Sequence, residues 1–271
     1  MPSVPLDCTL PAERVLLALR DEPWPFALTG RWAGGGAIVG SAPKELLGGA
    51  GRWWFESLGE PEARLDDVRA RLAAAPASVP PAPATFAART AAHIAAVRGC
   101  VARIAAGEMS RVHLCPRLEA QREDDVVALF VRAAARLRPA YGACFVAPWG
   151  GVASCSPEPF LRPSAPAAGI RGGARLRTAF PAASVTGAPK ARAMTAIAEL
   201  ETTGREVHSG LIGFAARRPG WSSASPSGHL RPAADGCGSA SAAPSTPILT
   251  RRVRCRSAWS KPDAWLPRWA A

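Results

Sequence analysis

Apolar residues recur at helical spacing in several stretches of the chain. Residues 12–20 (Ala-Glu-Arg-Val-Leu-Leu-Ala-Leu-Arg) read as a short helix. Residues 91–106 place Ile94, Val97, Val101 and Ile104 on one face and stop at Gly107, which tolerates the left-handed turn that ends a helix. Residues 125–137 repeat the pattern and end ahead of Pro139. A further helix is predicted over 190–203, with Met194, Ile197 and Ala198 in the core. Between these lie extended segments. Residues 24–29 and 36–39 read as short strands around Gly34-Gly35-Gly36, and 52–56 (Arg-Trp-Trp-Phe-Glu) as a buried strand, since large apolar side chains gain most from burial. Residues 112–115 read as another strand, and 142–147 with 151–155 as a hairpin around Pro148-Trp149-Gly150. Helices alternating with antiparallel strands predict an α+β layered fold.

A Pro/Ala-rich run at 74–84 suits an extended linker. It divides the chain into a first unit (1–73), the linker, a second unit (85–214) and a tail (215–271). With 271 residues, 48% of them hydrophobic, the chain can bury one sizeable core. No apolar run reaches 18 residues and the start lacks a basic and apolar leader, so a cytoplasmic protein that does not enter a membrane is expected. The seven cysteines are odd in number and never closer than eleven residues, which argues against disulfide and zinc frameworks. The net charge of +12 would suggest an anionic partner, but its distribution changes that picture. Residues 215–271 carry nine Lys or Arg against two Asp, a net +7. This tail mixes Trp, Pro, Ser and Arg without periodicity and is expected to be disordered. No nucleic-acid partner is expected of it.

Residues 180–201 (Phe-Pro-Ala-Ala-Ser-Val-Thr-Gly-Ala-Pro-Lys-Ala-Arg-Ala-Met-Thr-Ala-Ile-Ala-Glu-Leu-Glu) are long and distinctive. Three further stretches fall in a fixed order around them: 104–108 with 114–120, then Ser154-Cys-Ser-Pro-Glu158, then 205–214 (Arg-Glu-Val-His-Ser-Gly-Leu-Ile-Gly-Phe). Together these segments resemble the chorismate-utilising enzymes. The opening at 26–36 and Arg117-Leu-Glu-Ala120 look more like component I of aminodeoxychorismate synthase than like anthranilate synthase component I, which stands second. The resemblance implies an incomplete version of that family's layered β/α sandwich. It also implies chorismate as ligand, Mg²⁺ as cofactor, a glutamine amidotransferase (glutaminase) subunit as partner, and amination of chorismate for folate synthesis.

On the residues alone, Thr186-Gly187-Ala188-Pro189 suits an anion site. Thr can cap a helix, Gly lets the backbone approach a ligand, and Pro fits a first turn; the ordinary capped helix is the alternative. The resemblance favours the anion site and makes Thr186, Gly187 and Ala188 substrate-binding, with His208 at an aromatic substrate contact and Gly210 beside it. It also places Glu158 as the general acid that protonates the leaving hydroxyl, a task requiring a raised pKa. Arg111 stands where relatives carry a lysine base or a glutamine. Arginine cannot accept a proton at neutral pH.

Between residues 160–163 and 176–180 the family runs through a long middle segment, where this chain has only a short Pro/Gly/Ala-rich join. By resemblance, a nucleophilic lysine, a magnesium-binding glutamate and a substrate-side histidine fall in that gap, so covalent catalysis loses its nucleophile and Mg²⁺ an oxygen ligand. After Phe214 the likeness stops. Residues 219–229, back-translated with GC-rich codons and read two nucleotides on, can give Gly-Leu-Glu-Leu-Ser-Val-Ala-Ile-Arg-Thr, the family's next strand. Residues 237–250 in the same frame can give the family's Gly-rich ending. One frameshift near 215–219 accounts for both, and a catalytically impaired chain is expected.

Overall fold

The computed structural model describes residues 3–32, 36–42, 45–49, 53–57, 61–81, 85–88, 90–121, 124–156, 159–161, 179–215, 221–224, 228–232 and 237–242. The first part of the chain forms β1 (Ser3–Leu6), α1 (Ala12–Ala18), β2 (Pro25–Trp32), β3 (Gly36–Ser41), β4 (Glu45–Gly49), β5 (Trp53–Ser57) and α2 (Pro61–Ala74). Then come β6 (Thr85–Ala88), α3 (Thr90–Ala105), β7 (Arg111–Val112), β8 (Arg117–Gln121), α4 (Val126–Leu137) and the hairpin β9 (Tyr141–Ala147) and β10 (Gly150–Ser156). The remainder supplies β11 (Pro159–Leu161), β12 (Gly187–Ala188), α5 (Lys190–Leu200), β13 (Ile212–Ala215), β14 (Trp221–Ala224), β15 (Gly228–Pro232) and β16 (Cys237–Ala242).

An eleven-stranded sheet orders these strands as β1-β5-β4-β3-β2-β9-β10-β15-β16-β8-β6, and every pair in it is antiparallel. The mixed helix and antiparallel-sheet class predicted by the pattern is therefore the class observed. One face of the sheet carries α1, α2 and α4 over a core built on Val15, Leu16, Val39, Leu47, Phe55, Val68 and Phe130. Alternation explains the choice of face: along β5, Trp53, Phe55 and Ser57 are buried while Trp54 and Glu56 are only half-buried. The opposite face buries Leu28, Trp32, Tyr141 and Ala143, with Ile212 packed against them. Trp32 and Tyr141 meet edge to face at 5.3 Å, and the indole N–H of Trp32 donates to the Gly142 carbonyl.

α4 is capped as its sequence demands. The Asp125 carboxylate accepts from the amide of Ala128 at 2.7 Å, and Arg138 closes the helix in the left-handed region (φ 44°). The run at 75–81 has no regular structure, yet it is pinned to the body. Arg14 donates to the carbonyls of Ala75 and Pro76, and Arg132 to that of Pro80.

Two predicted helix faces are corrected. In α3 the buried positions are Ala96, Cys100 and Ile104, and Ile94 is exposed; in α5 they are Ala193, Ala196 and Ile197, while Met194 and Ala198 lie outside. Small side chains set this contact by allowing the two helices to approach closely. A Cβ added at Gly99 would come within 3.1 Å of Leu200. α5 also ends at Leu200, earlier than predicted, and the strand expected over 112–115 pairs only at 111–112.

Within the segment whose composition predicts disorder, β14, β15 and β16 are described, and 243–271 lie outside the described residues. β15 and β16 fill the space between β10 and β8. The join is made by main-chain pairing, with Ala240 opposite Leu230 on one side and opposite Leu118 on the other.

Candidate functional site

The site is assembled where β7, the turn at 182–189, α5 and the turn at 205–210 meet. β7 and β12 pair antiparallel, setting Gly187 opposite Val112 and Ala188 opposite Arg111. The amide of His113 donates to the Thr186 carbonyl at 2.9 Å, which extends the pairing by one more rung. Gly187 has φ 144°, and a Cβ there would stand 2.4 Å from the Arg111 carbonyl. Glycine is therefore required by both conformation and space.

Thr186 is buried, but its hydroxyl donates to the Ala182 carbonyl at 2.8 Å and does not cap α5. This corrects the capping expectation. The N-cap position is held by Pro189, which has no side-chain cap to offer, so no capping side chain occupies the first turn of α5. Lys190 reaches back to the Ala179 carbonyl at 3.3 Å, closing the turn onto the helix start.

Arg205 binds these pieces together. Its guanidinium contacts both carboxylate oxygens of Glu201, at 2.6 and 2.8 Å, and donates to the carbonyls of Val185 (2.8 Å) and His113 (2.5 Å) and to the Ser209 hydroxyl (3.0 Å). The free oxygen capacity of Glu201 is used by the amide of Cys115 at 3.0 Å. Burial opposes the charge on Arg205, but its bonds to Glu201 outweigh that cost and hold it protonated. His113 is pushed the other way: burial lowers its pKa, and the charges of Arg111 and Arg205 lower it further. A neutral imidazole between two guanidinium groups results. The buried Nε of Arg111 and Nε2 of His113 have no hydrogen-bond partner among the described residues.

The turn at 205–210 carries His208. Glu206 (φ 52°) and Ser209 (φ 62°) both take left-handed conformations, uncommon outside glycine, and the amides of His208 and Gly210 close on the carbonyls of Arg205 and Val207. A Cβ at Gly210 would lie 2.8 Å from the Val207 carbonyl. His208 is buried, with its Nε2 2.9 Å from Cys115 Sγ.

Six of the residues singled out in the sequence therefore share one patch: Arg111, Thr186, Gly187, Ala188, His208 and Gly210. Glu158 lies outside the described residues. Sequence reasoning did not assign roles to Glu201, Arg205 and Cys115. Glu201 and Arg205 lie beyond the end of α5, so their spacing of four is not a helical signal. Among the described residues no three His, Cys, Asp or Glu side chains come together as a metal-ligating group. What the patch offers is cationic and hydrogen-bond-donating, suited to holding an anion.

The fold is that of enzymes acting on chorismate. Its match to the anthranilate synthase component I of Streptococcus pneumoniae has a TM-score of 0.59 at 16% identity, covering 79% of this chain and 72% of that one. The menaquinone-specific isochorismate synthase of Escherichia coli matches with a TM-score of 0.63 at 12% identity, over 92% of this chain and 89% of that one. No curated protein sequence matches the chain. The family model for chorismate binding enzymes matches residues 55–169 and 167–220, and the chain belongs to that family. No helix among the described residues is long and apolar enough to cross a membrane.

Proposed function

We propose that this chain is a chorismate-binding relative of component I of aminodeoxychorismate synthase that no longer turns its ligand over efficiently. The observation that carries this reading is the patch itself. The Thr186-Gly187-Ala188 turn, Arg111 and the 205–210 turn remain stitched together by Arg205, while the position expected to hold a base or a glutamine holds a guanidinium. Chorismate is a dicarboxylate, and Arg111 with the uncapped start of α5 provides positive charge for a carboxylate. Glu158 would serve as the acid that protonates the leaving hydroxyl, with Pro157 beside it.

Two features of the family match support an altered gene. The match falls into two segments that meet at 167–169, inside the short join, and it stops at 220, close to where the reading frame is proposed to slip. Resequencing the gene through 160–180 and 205–271 tests this. The proposal expects bases that encode the chain as it stands; a restored middle segment and frame would make the protein an ordinary chorismate-aminating enzyme. Mg²⁺-dependent chorismate turnover by the purified chain would overturn the claim of impairment.

The anthranilate-forming reaction is the second reading, favoured by the fold match to an anthranilate synthase component I. Either reading brings a glutaminase subunit as the partner that supplies ammonia. Product analysis after adding ammonia separates them, since one path keeps the enolpyruvyl group and the other releases pyruvate.

A further inference from the structure

Arg111 and His113 stand two residues apart on β7 and the rung that continues it, so alternation places their side chains on one face. Val112 and Leu114 point the other way, into the apolar base shared with α3 and α5. The residues paired with this face offer little to bond to. Ala188 is opposite Arg111, and Thr186, paired with His113, turns its hydroxyl to the Ala182 carbonyl. Two polar atoms are left shut away from solvent: the Nε of Arg111 and the Nε2 of His113 have no hydrogen-bond partner among the described residues. Buried polar groups are nearly always bonded, so two on one strand face call for an occupant. The Nε of arginine can only donate, and an imidazole that gains a proton donates from both nitrogens. Such a pair selects an anion, and a carboxylate has an oxygen for each donor.

The charges around His113 act in one direction. Burial first, and then the guanidinium groups of Arg111 and Arg205, hold its pKa below the ordinary value. Arg205 is tied to Glu201, whereas Arg111 has no carboxylate partner among the described residues. The other titratable groups of the platform have different neighbours: His93 of α3 feels Glu201, His208 lies against Cys115, and Lys190 reaches the Ala179 carbonyl. An anion beside Arg111 reverses the field on the imidazole, because a nearby negative charge favours the protonated ring that the guanidinium groups disfavour.

We propose that Arg111 and His113 together hold one carboxylate of the ligand, and that His113 takes up a proton as the carboxylate docks. Affinity then rises as pH falls towards the range where free His113 is itself protonated, which lies below about 6.5. This deepens the reading of the site as one that binds chorismate, and rests on it only for the identity of the anion.

Calorimetric titration of the full chain with chorismate, in two buffers of different ionisation heat between pH 6 and 7.5, counts the protons bound. Both carboxylates of the ligand stay ionised over that range. The parent should take up roughly half a proton or more near pH 6.5 and bind roughly 3–10-fold more tightly at pH 6 than at pH 7.5. His113→Asn, which keeps a polar side chain but cannot titrate, should take up none and vary in affinity by no more than about twofold across the range. Arg111→Gln should weaken binding roughly 10-fold and reduce the uptake, since removing the cation lets free His113 protonate sooner. Chorismate binding without proton uptake, or with the same uptake in His113→Asn, overturns the proposal while leaving chorismate as the ligand. If His113→Asn does not fold, the parent and Arg111→Gln counts decide. If chorismate does not bind, benzoate is titrated in its place: proton-linked benzoate binding keeps the Arg111–His113 pair and removes chorismate, and no binding of either removes both.

Discussion

The sheet under α1, α2 and α4 and the platform built by α3, α5 and the two turns are held by different forces. The first is an apolar core in which Val15, Val39, Leu47, Phe55, Val68 and Phe130 are essentially without solvent contact. The second has a smaller apolar base, in which Cys100, Ile104, Val112 and Leu114 pack with Ala96, Ala193, Ala196 and Ile197, and its upper layer is joined by one part-buried guanidinium. Apolar packing is distributed over many small contacts and so tolerates change in proportion to what is removed. A polar node fails as a unit, because its partners are left buried and unsatisfied.

The largest test of this contrast is Phe130→Ala. Removing the ring from the fully buried side of α4 should cost about 3–5 kcal/mol, read as a lower urea midpoint, while ligand affinity per folded molecule stays unchanged. Arg205→Ala should cost roughly 3 kcal/mol, much of it the penalty of leaving the part-buried Glu201 without its cation. Its effect should be local: hydrogen exchange should rise at 113–115, 185–187 and 205–210 while β2, β9 and β10 remain protected. Uniform loss of protection would mean that the two regions are one cooperative unit. Gly187→Ala should cost on the order of 1–3 kcal/mol from backbone strain and also displace Arg111, whose carbonyl stands in the way. It should weaken chorismate binding more than it lowers the unfolding midpoint.

How legible each region was follows the same division. α1, α4 and the β9–β10 hairpin announce themselves by apolar period, a capping Asp125 and a Pro-Trp-Gly turn. α2 does not, because its buried residues are Pro61, Val68 and Leu72 and charged residues are interspersed along the rest of the helix. The faces of α3 and α5 were misplaced because the largest apolar residues, Ile94 and Met194, drew attention from the alanine stripes that make the contact. Thr186, Gly187 and His208 could be picked out by resemblance to a family, but not by pattern. The node that organises them is a Glu201–Arg205 pair beyond the end of a helix, where periodicity gives no signal.

A smaller effect separates the regions by pH. Burial depresses the pKa of His113, and of His93 despite the opposing charge of Glu201. In the unfolded chain each takes up its proton near the ordinary value of about 6.5, so the unfolded state binds more protons as pH falls through that value. Their contribution is therefore full above about pH 6.5 and declines below it. The platform should loosen first on acidification, seen as earlier exchange at 113–115 than in β9 and β10; simultaneous loss would contradict the division.

The central claim is that the chain holds chorismate without efficiently converting it. A single ¹H NMR time course of the full chain with chorismate, ammonia and Mg²⁺ reads both halves. The account predicts saturation transfer from protein to chorismate, with aminated product accumulating no faster than in a protein-free control. Product formation well above that control, or no saturation transfer at all, would contradict it.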